Sequence, residues 1–206
     1  MTINETFQKK KIALLWRLIG ANYHTAVKAF YLAEKYHNGL RKDGITPEFA
    51  HQVDIAHHIL TLKDVANLEE SVAIALLHDI REDYDITDDE LRTLFGNHIA
   101  NGCELVTKKF KGTEKDKKSF FDALSTCPRS SLVKGADRIS NILSMTGVFT
   151  VEKQKKYIEE ANDFFLPMLK KARHSFPEQT DAYLNIENTL KNSINLIQAS
   201  LNSASV

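Results

Sequence analysis

The stretch Ala75-Leu76-Leu77-His78-Asp79-Ile80-Arg81-Glu82-Asp83 gathers an imidazole and three carboxylates behind an apolar run. A neutral imidazole beside a carboxylate is a good ligand pair for a divalent ion of borderline hardness. Adjacent helical residues point about 100° apart, so His78 and Asp79 share a target only where the helix ends or other ligands converge on them. A plainer reading exists: His78 caps a buried helix, and Glu82 and Asp83 lie in a solvated loop. Two other residues bear on the choice. His51 falls in the first turns of a helix, and Asp137 lies between apolar residues in Gly135-Ala136-Asp137-Arg138-Ile139. A carboxylate there is costly to bury unless it is paired or metal-bound, and the adjacent Arg138 is a candidate partner. Spacing alone does not join His51, His78, Asp79 and Asp137, because three separate helices carry them.

Nearly all the elements that must position these residues read as helix. Residues 5–19 and 23–38 have apolar positions spaced by threes and fours, at Ile12, Leu15 and Ile19 and at Val27, Phe30 and Tyr31. A polar loop from Asn38 to Gly44 follows, and Thr46-Pro47 reads as an N-cap and first-turn proline opening a helix to about Leu62. Residues 68–80 form a short, very apolar helix, hence a central one. Thr87-Asp88-Asp89-Glu90 is a capping box, with Gly96 ending its helix. A helix over about 97–107 leads into the lysine-rich segment Lys108 to Lys118, which reads as a mobile loop, solvated or steering an anion. Helices near 117–125, 130–145, 151–173 and 177–202 complete the chain. The fold class is all-α: a single domain over residues 1–206, with the motif-bearing core at about 25–145 and C-terminal helices at about 151–202.

The chain has 206 residues, 43% of them apolar, and a formal net charge of +0. That length supports a sizeable core. Zero net charge argues against a protein that coats nucleic acid. Two cysteines, Cys103 and Cys127, without a metal or redox motif, fit a reducing cytoplasm. No apolar run approaches the roughly 18 residues of a membrane span, and the patch Ile12 to Leu15 is an amphipathic helix, not a signal peptide. His57 and His58 are not expected to bind metal, and His24, His37, His98 and His174 have no partner visible in the sequence.

In order and context, these motifs resemble the hydrolase domain of RelA/SpoT homologues in its small stand-alone form, within the HD phosphohydrolase superfamily. The likeness runs from Ala33-Glu34-Lys35-Tyr36-His37-Asn38-Gly39-Leu40-Arg41-Lys42 through Gly44-Ile45-Thr46-Pro47 and His51. It continues in His78-Asp79, Glu82-Asp83 and Phe95-Gly96, and closes with Leu132 to Asn141. The resemblance implies an all-α HD-domain fold and one divalent ion, Mn²⁺, held by His51, His78, Asp79 and Asp137. It implies that Glu82 and Asp83 handle the attacking water and its protons. Arg41 would lie against a purine base, with Lys42 and Asn141 holding the nucleotide. The implied activity is removal of the 3′-pyrophosphate from (p)ppGpp-type alarmones. Alternatives within the same reading are an HD phosphohydrolase of (p)ppApp or another nucleoside phosphate, and a helical module that senses nucleotide without cleaving it. The sequence departs from the family pattern at Tyr36, Asn38-Gly39, Tyr84 and Gly135, none of them a ligand position. No stretch remains to encode the family's synthetase domain, and the oligomeric state is left open.

Overall fold

The computed structural model describes residues 2–84 and 86–203. The chain opens with α1 (Ile3–Gly20), capped by a reciprocal Thr2–Glu5 box, followed by α2 (His24–Tyr36) and α3 (Phe49–Thr61). Of the expected apolar face of α1 only Leu15 packs against the core, and it does so partly. Phe7, Leu14 and Leu18 are buried, while Ile12 and Ile19 remain exposed. The helix carries two apolar stripes, and contact with α2 and α3 selects one. Thr46 does not cap α3. Its hydroxyl bonds to Asp43, Pro47 pairs with Leu40 in an isolated bridge, and the helix begins at Phe49 after Glu48.

The helix α4 (Leu68–Leu77) is the centre of the molecule. Every residue from Ser71 to Leu77 is buried, and α2, α3, α6 and α8 pack around it. This explains why its residues from Val72 to Leu77 are all apolar, since each of its faces there meets another helix. A turn at His78-Asp79 separates α4 from the single turn α5 (Ile80–Asp83). The predicted capping box opens α6 (Asp88–Val106) at Thr87 and Glu90. Gly96 breaks this helix, as expected, but the two segments continue across it as a kink, with Gly96 at φ 81°. Glycine adopts that conformation without a Cβ penalty.

The lysine-rich segment is not a loop. It forms a hairpin, β1 (Lys109–Phe110) with β2 (Thr113–Glu114), turning through Lys111 and Gly112, both at positive φ. Three of its lysines are in ion pairs: Lys108 with Glu114 at 3.0 Å, Lys115 with Glu104 at 2.6 Å, and Lys117 with Glu160 at 3.2 Å. Then come α7 (Lys117–Leu124) and α8 (Pro128–Ser144), the latter with proline in its first turn. The single helix expected over 151–173 is interrupted. α9 (Val151–Glu160) passes through a π-helical turn at Ala161–Phe165 into α10 (Leu166–Ser175). Pro167 explains the turn, because proline cannot donate to the carbonyl four residues back, and a local π turn absorbs the mismatch. A 3₁₀ turn at Pro177–Gln179 leads to α11 (Thr180–Ser203), which packs along α8. Gly135 permits that approach: a Cβ there would stand 2.6 Å from Ile186 and 3.0 Å from Leu169.

Candidate metal centre and active site

Three helices bring the predicted ligands together. α3 supplies His51, the end of α4 supplies His78 and Asp79, and the middle of α8 supplies Asp137. Because α4 ends at Leu77, the two adjacent residues need not diverge, and their side chains meet. His78 Nε2 lies 3.0 Å from Asp79 Oδ2 and 3.7 Å from Asp137 Oδ1. His51 Nε2 lies 3.1 Å from Asp137 Oδ1 and 3.9 Å from Asp79 Oδ2. The two imidazole centroids are 5.2 Å apart.

The surrounding bonds orient each donor. His78 Nδ1 donates to the Ala75 carbonyl at 2.8 Å, which leaves the lone pair on Nε2. That Nε2 is buried and has no hydrogen-bond partner. His51 Nδ1 is held by Ser140 Oγ at 3.0 Å, which aims its Nε2 at the carboxylates. Asp137 is braced by Lys134 Nζ at 3.0 Å and by the Asn141 amide, which donates at 2.5 Å. Partners of this kind fix ring tautomer and ligand direction in metal sites. The orphaned Nε2, with a second imidazole and two carboxylates around a common point, is a donor set that fits a borderline divalent cation.

Electrostatics agree with this geometry. Burial opposes a charge on His78, but Asp79 and Asp137 outweigh it and push the imidazole up to about 10. Since Nδ1 is committed to Ala75, the group that titrates is Nε2. The cluster therefore attracts positive charge strongly at one atom, which a proton or a metal ion can satisfy. Burial alone would raise Asp79 and Asp137, yet His78 beside the first and Lys134 beside the second hold both below the usual carboxylate range. Burial keeps His51 below its ordinary value.

Arg138 is not the partner of Asp137. It pairs with Glu160 at 2.5 Å and lies against the rings of Phe165 and Tyr157. Lys134, one helical turn before Asp137, takes that place. The i, i+3 spacing was a signal in the sequence, but lysine is so commonly solvated that spacing alone could not single it out. Ser140 was missed for a similar reason, since nothing local marks a serine as a histidine's support.

Three of the four ligands, His51, Asp79 and Asp137, line a cavity of about 820 Å³, within the range of small-molecule sites. Arg41, Lys42, Glu82, Asp83, Lys134 and Asn141 all line it. Arg41 is placed by the loop between α2 and α3, which Asp43 stiffens by accepting bonds from Ile45 and Thr46, and its guanidinium reaches Ser144 Oγ at 3.3 Å. Lys42 lies over the Phe149 ring. Glu82 accepts a bond from the Lys108 amide and is thereby tied to the base of the hairpin. Burial, with the charges of Asp79, Glu48 and Glu82, pushes Asp83 up to about 6. A carboxyl in that range can exchange a proton near neutral pH. His57 and His58 bond to the Lys10 carbonyl and to Asn185.

With this fold and ligand set in place, comparison with known proteins defines the class. Residues 29–172 match the model of an HD domain, and the chain belongs to that family. Over 149 residues it is 33% identical to a probable guanosine-3′,5′-bis(diphosphate) 3′-pyrophosphohydrolase of Synechocystis sp., an alignment covering 68% of this chain and 19% of that protein. It is 30% identical over 146 residues to a guanosine-3′,5′-bis(diphosphate) 3′-pyrophosphohydrolase of Aquifex aeolicus, covering 68% of this chain and 20% of the relative. A GTP pyrophosphokinase of Brucella ovis is 31% identical over 172 residues, 77% of this chain and 22% of the relative. The chain thus spans about a fifth of the length of these relatives. Among solved structures, a metazoan orthologue of SpoT, described as hydrolysing ppGpp and acting in starvation responses, superposes with a TM-score of 0.65 at 22% identity. That match covers 84% of this chain and 95% of the other, and shows a shared fold. No helix among the described residues is long and apolar enough to cross a membrane.

Proposed function

We propose that this chain is a Mn²⁺-dependent hydrolase that removes the 3′-pyrophosphate from (p)ppGpp-type alarmones, giving GDP or GTP and pyrophosphate. The observation that carries the reading is the buried, unpartnered Nε2 of His78 beside Asp79, Asp137 and His51, the last three of which line a cavity of about 820 Å³. The names of relatives at 30–33% identity supply the substrate class.

His51, His78, Asp79 and Asp137 would hold the ion. When bound, a divalent ion of this kind lowers the pKa of a water and polarises a phosphoryl oxygen. Water attacks the phosphorus carried on the ribose 3′-oxygen, the bond from that phosphorus to the 3′-oxygen breaks, and the 3′-oxygen leaves with a proton. Glu82 and Asp83 stand beside the ligands to take the water's proton and return one to the leaving oxygen. Lys134 places a fixed positive charge against Asp137 and keeps that carboxylate ionised for its ligand role. Arg41 is suited to lie against a purine, since a guanidinium stacks and donates at once, while Lys42 and Asn141 hold phosphate and sugar. Two free thiols, Cys103 and Cys127, suit a cytoplasmic setting.

The test is incubation of the purified chain with Mn²⁺ and, separately, ppGpp, pppGpp, ppApp, deoxynucleoside triphosphates and cyclic dinucleotides, with products resolved by chromatography. Intact pyrophosphate together with GDP or GTP is the expected outcome. Stepwise orthophosphate release, or alarmone binding without turnover, would replace the proposal with a different hydrolase or with a nucleotide sensor.

A further inference from the structure

A second set of donor atoms adjoins the first. His37 ends α2, Glu48 precedes α3 and Asp83 ends α5, so no two of them share an element. One ligand atom from each lies within 4.8 Å of the others. His37 is 2% exposed, and neither of its ring nitrogens has a hydrogen-bond partner. A buried imidazole with both nitrogens unpaired is costly unless something occupies a lone pair. Its Nδ1 lies 3.6 Å from Glu48 Oε1, beyond a hydrogen bond but suited to two ligands of one ion.

The frame around these atoms is built. The loop between α2 and α3 closes on itself through the Leu40–Pro47 bridge, and the Glu48 amide bonds to the Gly39 carbonyl at 2.9 Å. That closure brings Glu48 back beside His37. Gly39 leaves room for the carboxylate, since a Cβ there would stand 3.2 Å from Glu48 Oε2. The Tyr84 hydroxyl donates to Oε2 at 3.1 Å and leaves Oε1 turned to His37. The Tyr84 ring packs against both His37 and Tyr36, with centroids 5.1 and 5.2 Å away. Three donor atoms are thus held together beside an aromatic ring.

We propose that His37, Glu48 and Asp83 form a second divalent-cation site beside the first. One imidazole nitrogen and two carboxylates suit Mn²⁺ or Zn²⁺. The two sites are linked through α5, where the Glu82 and Asp83 amides both bond to the Asp79 carbonyl at 3.0 Å. The second ion also resolves a charge problem. Glu48, Asp79, Glu82 and Asp83 crowd the end of the cavity where a pyrophosphate must react, while Lys134 and Arg138 are already paired with Asp137 and Glu160. A second cation offsets that negative charge and gives the departing pyrophosphate a counter-ion. This role rests on the hydrolase reading; the binding of the ion does not. With Asp83 engaged in this way, proton handling falls to Glu82.

The experiment is a titration of the chelator-stripped chain with Mn²⁺ alone, with free ion counted by electron paramagnetic resonance. The expected stoichiometry is two ions per chain in the parent. It falls to one in His37→Ala and in Glu48→Gln, and His78→Ala loses the other ion while keeping this one. Glu48 is partly exposed, so its variant reports even if the buried His37→Ala fails to fold. A parent that takes up a single ion at millimolar Mn²⁺, or a second ion retained in every folded variant of this pair, overturns the site. Two ions without alarmone turnover would overturn the hydrolase reading and leave the site standing; one ion with turnover would do the reverse.

Discussion

The two ends of the cavity are built in opposite ways. At the inner end, His51, His78, Asp79 and Asp137 stand on or beside three packed helices, and their side chains are from 0% to 23% exposed. At the outer end, Arg41 and Lys42 ride on a loop and Lys108 on the foot of a hairpin. The inner donors are fixed by bonds to Ala75, Ser140, Lys134 and Asn141. Arg41 reaches only as far as Ser144, Lys42 is exposed over the Phe149 ring, and Lys108 is half-buried. Reactive geometry tolerates little displacement, so it belongs on rigid elements, whereas attraction of a polyphosphate acts over several ångströms and can be carried on loops.

Substitutions that separate these ends test the contrast. The largest effect is expected for His78→Ala, which removes the atom with no other partner. Metal content by elemental analysis should fall by one ion per chain and alarmone turnover should disappear, while circular dichroism shows the helices intact. Unchanged metal content in that variant would remove His78 from the ligand set.

Glu82→Gln comes next. It keeps side-chain size and the capacity to accept from the Lys108 amide but cannot cycle a proton. Turnover is expected to fall by roughly 10² to 10⁴, the usual span for a lost general acid or base, with metal retained. A rise confined to KM would assign Glu82 to binding instead.

Ser140→Ala leaves every proposed ligand in place and removes only the bond that orients His51. Mn²⁺ affinity is expected to weaken by about 10- to 100-fold, as for other supporting residues around metal sites, and a competitive chelator titration measures it. An unaltered affinity would mean that packing alone orients the His51 ring.

The smallest effects belong to the outer end. Arg41→Ala should raise KM by roughly tenfold, the worth of one charge-assisted contact, and leave metal content alone. Steady-state kinetics matching the parent would make Arg41 a surface residue. Replacing Lys109 and Lys111 together should alter kcat/KM by only about threefold at 0.15 M salt and more at low salt, because exposed charges are screened over roughly 8 Å there. A change that ignores ionic strength would point to direct contact with substrate.

Much of the fold was legible because helices announce themselves locally. The Thr87–Glu90 capping box, the break at Gly96 and the apolar run Val72 to Leu77 of α4 are short-range patterns, and the structure has all three. Errors arose where a local pattern had two outcomes. The apolar residues of α1 allow two faces, and packing chose Phe7, Leu14 and Leu18. Thr46-Pro47 has the composition of a helix start, yet Asp43 captures the threonine and Leu40 the proline. The lysine-rich segment reads as loop by composition, but its acidic partners Glu104 and Glu160 lie on other helices.

For the site, the sequence by itself determined the chemistry on offer: His78 and Asp79 at the end of a buried helix, an acid pair one turn on, and an aspartate inside an apolar stretch. Those assignments depend on neighbours a few residues away, which a linear pattern displays. Only the tertiary structure decided which groups meet. Asp137 takes Lys134 rather than the adjacent Arg138, because on a helix residues one apart point away from each other while those three apart share a face. His37 acquires Glu48 and Asp83 only after the loop between α2 and α3 closes. Side-chain convergence across elements is set by packing of helix against helix, and no local spacing encodes it.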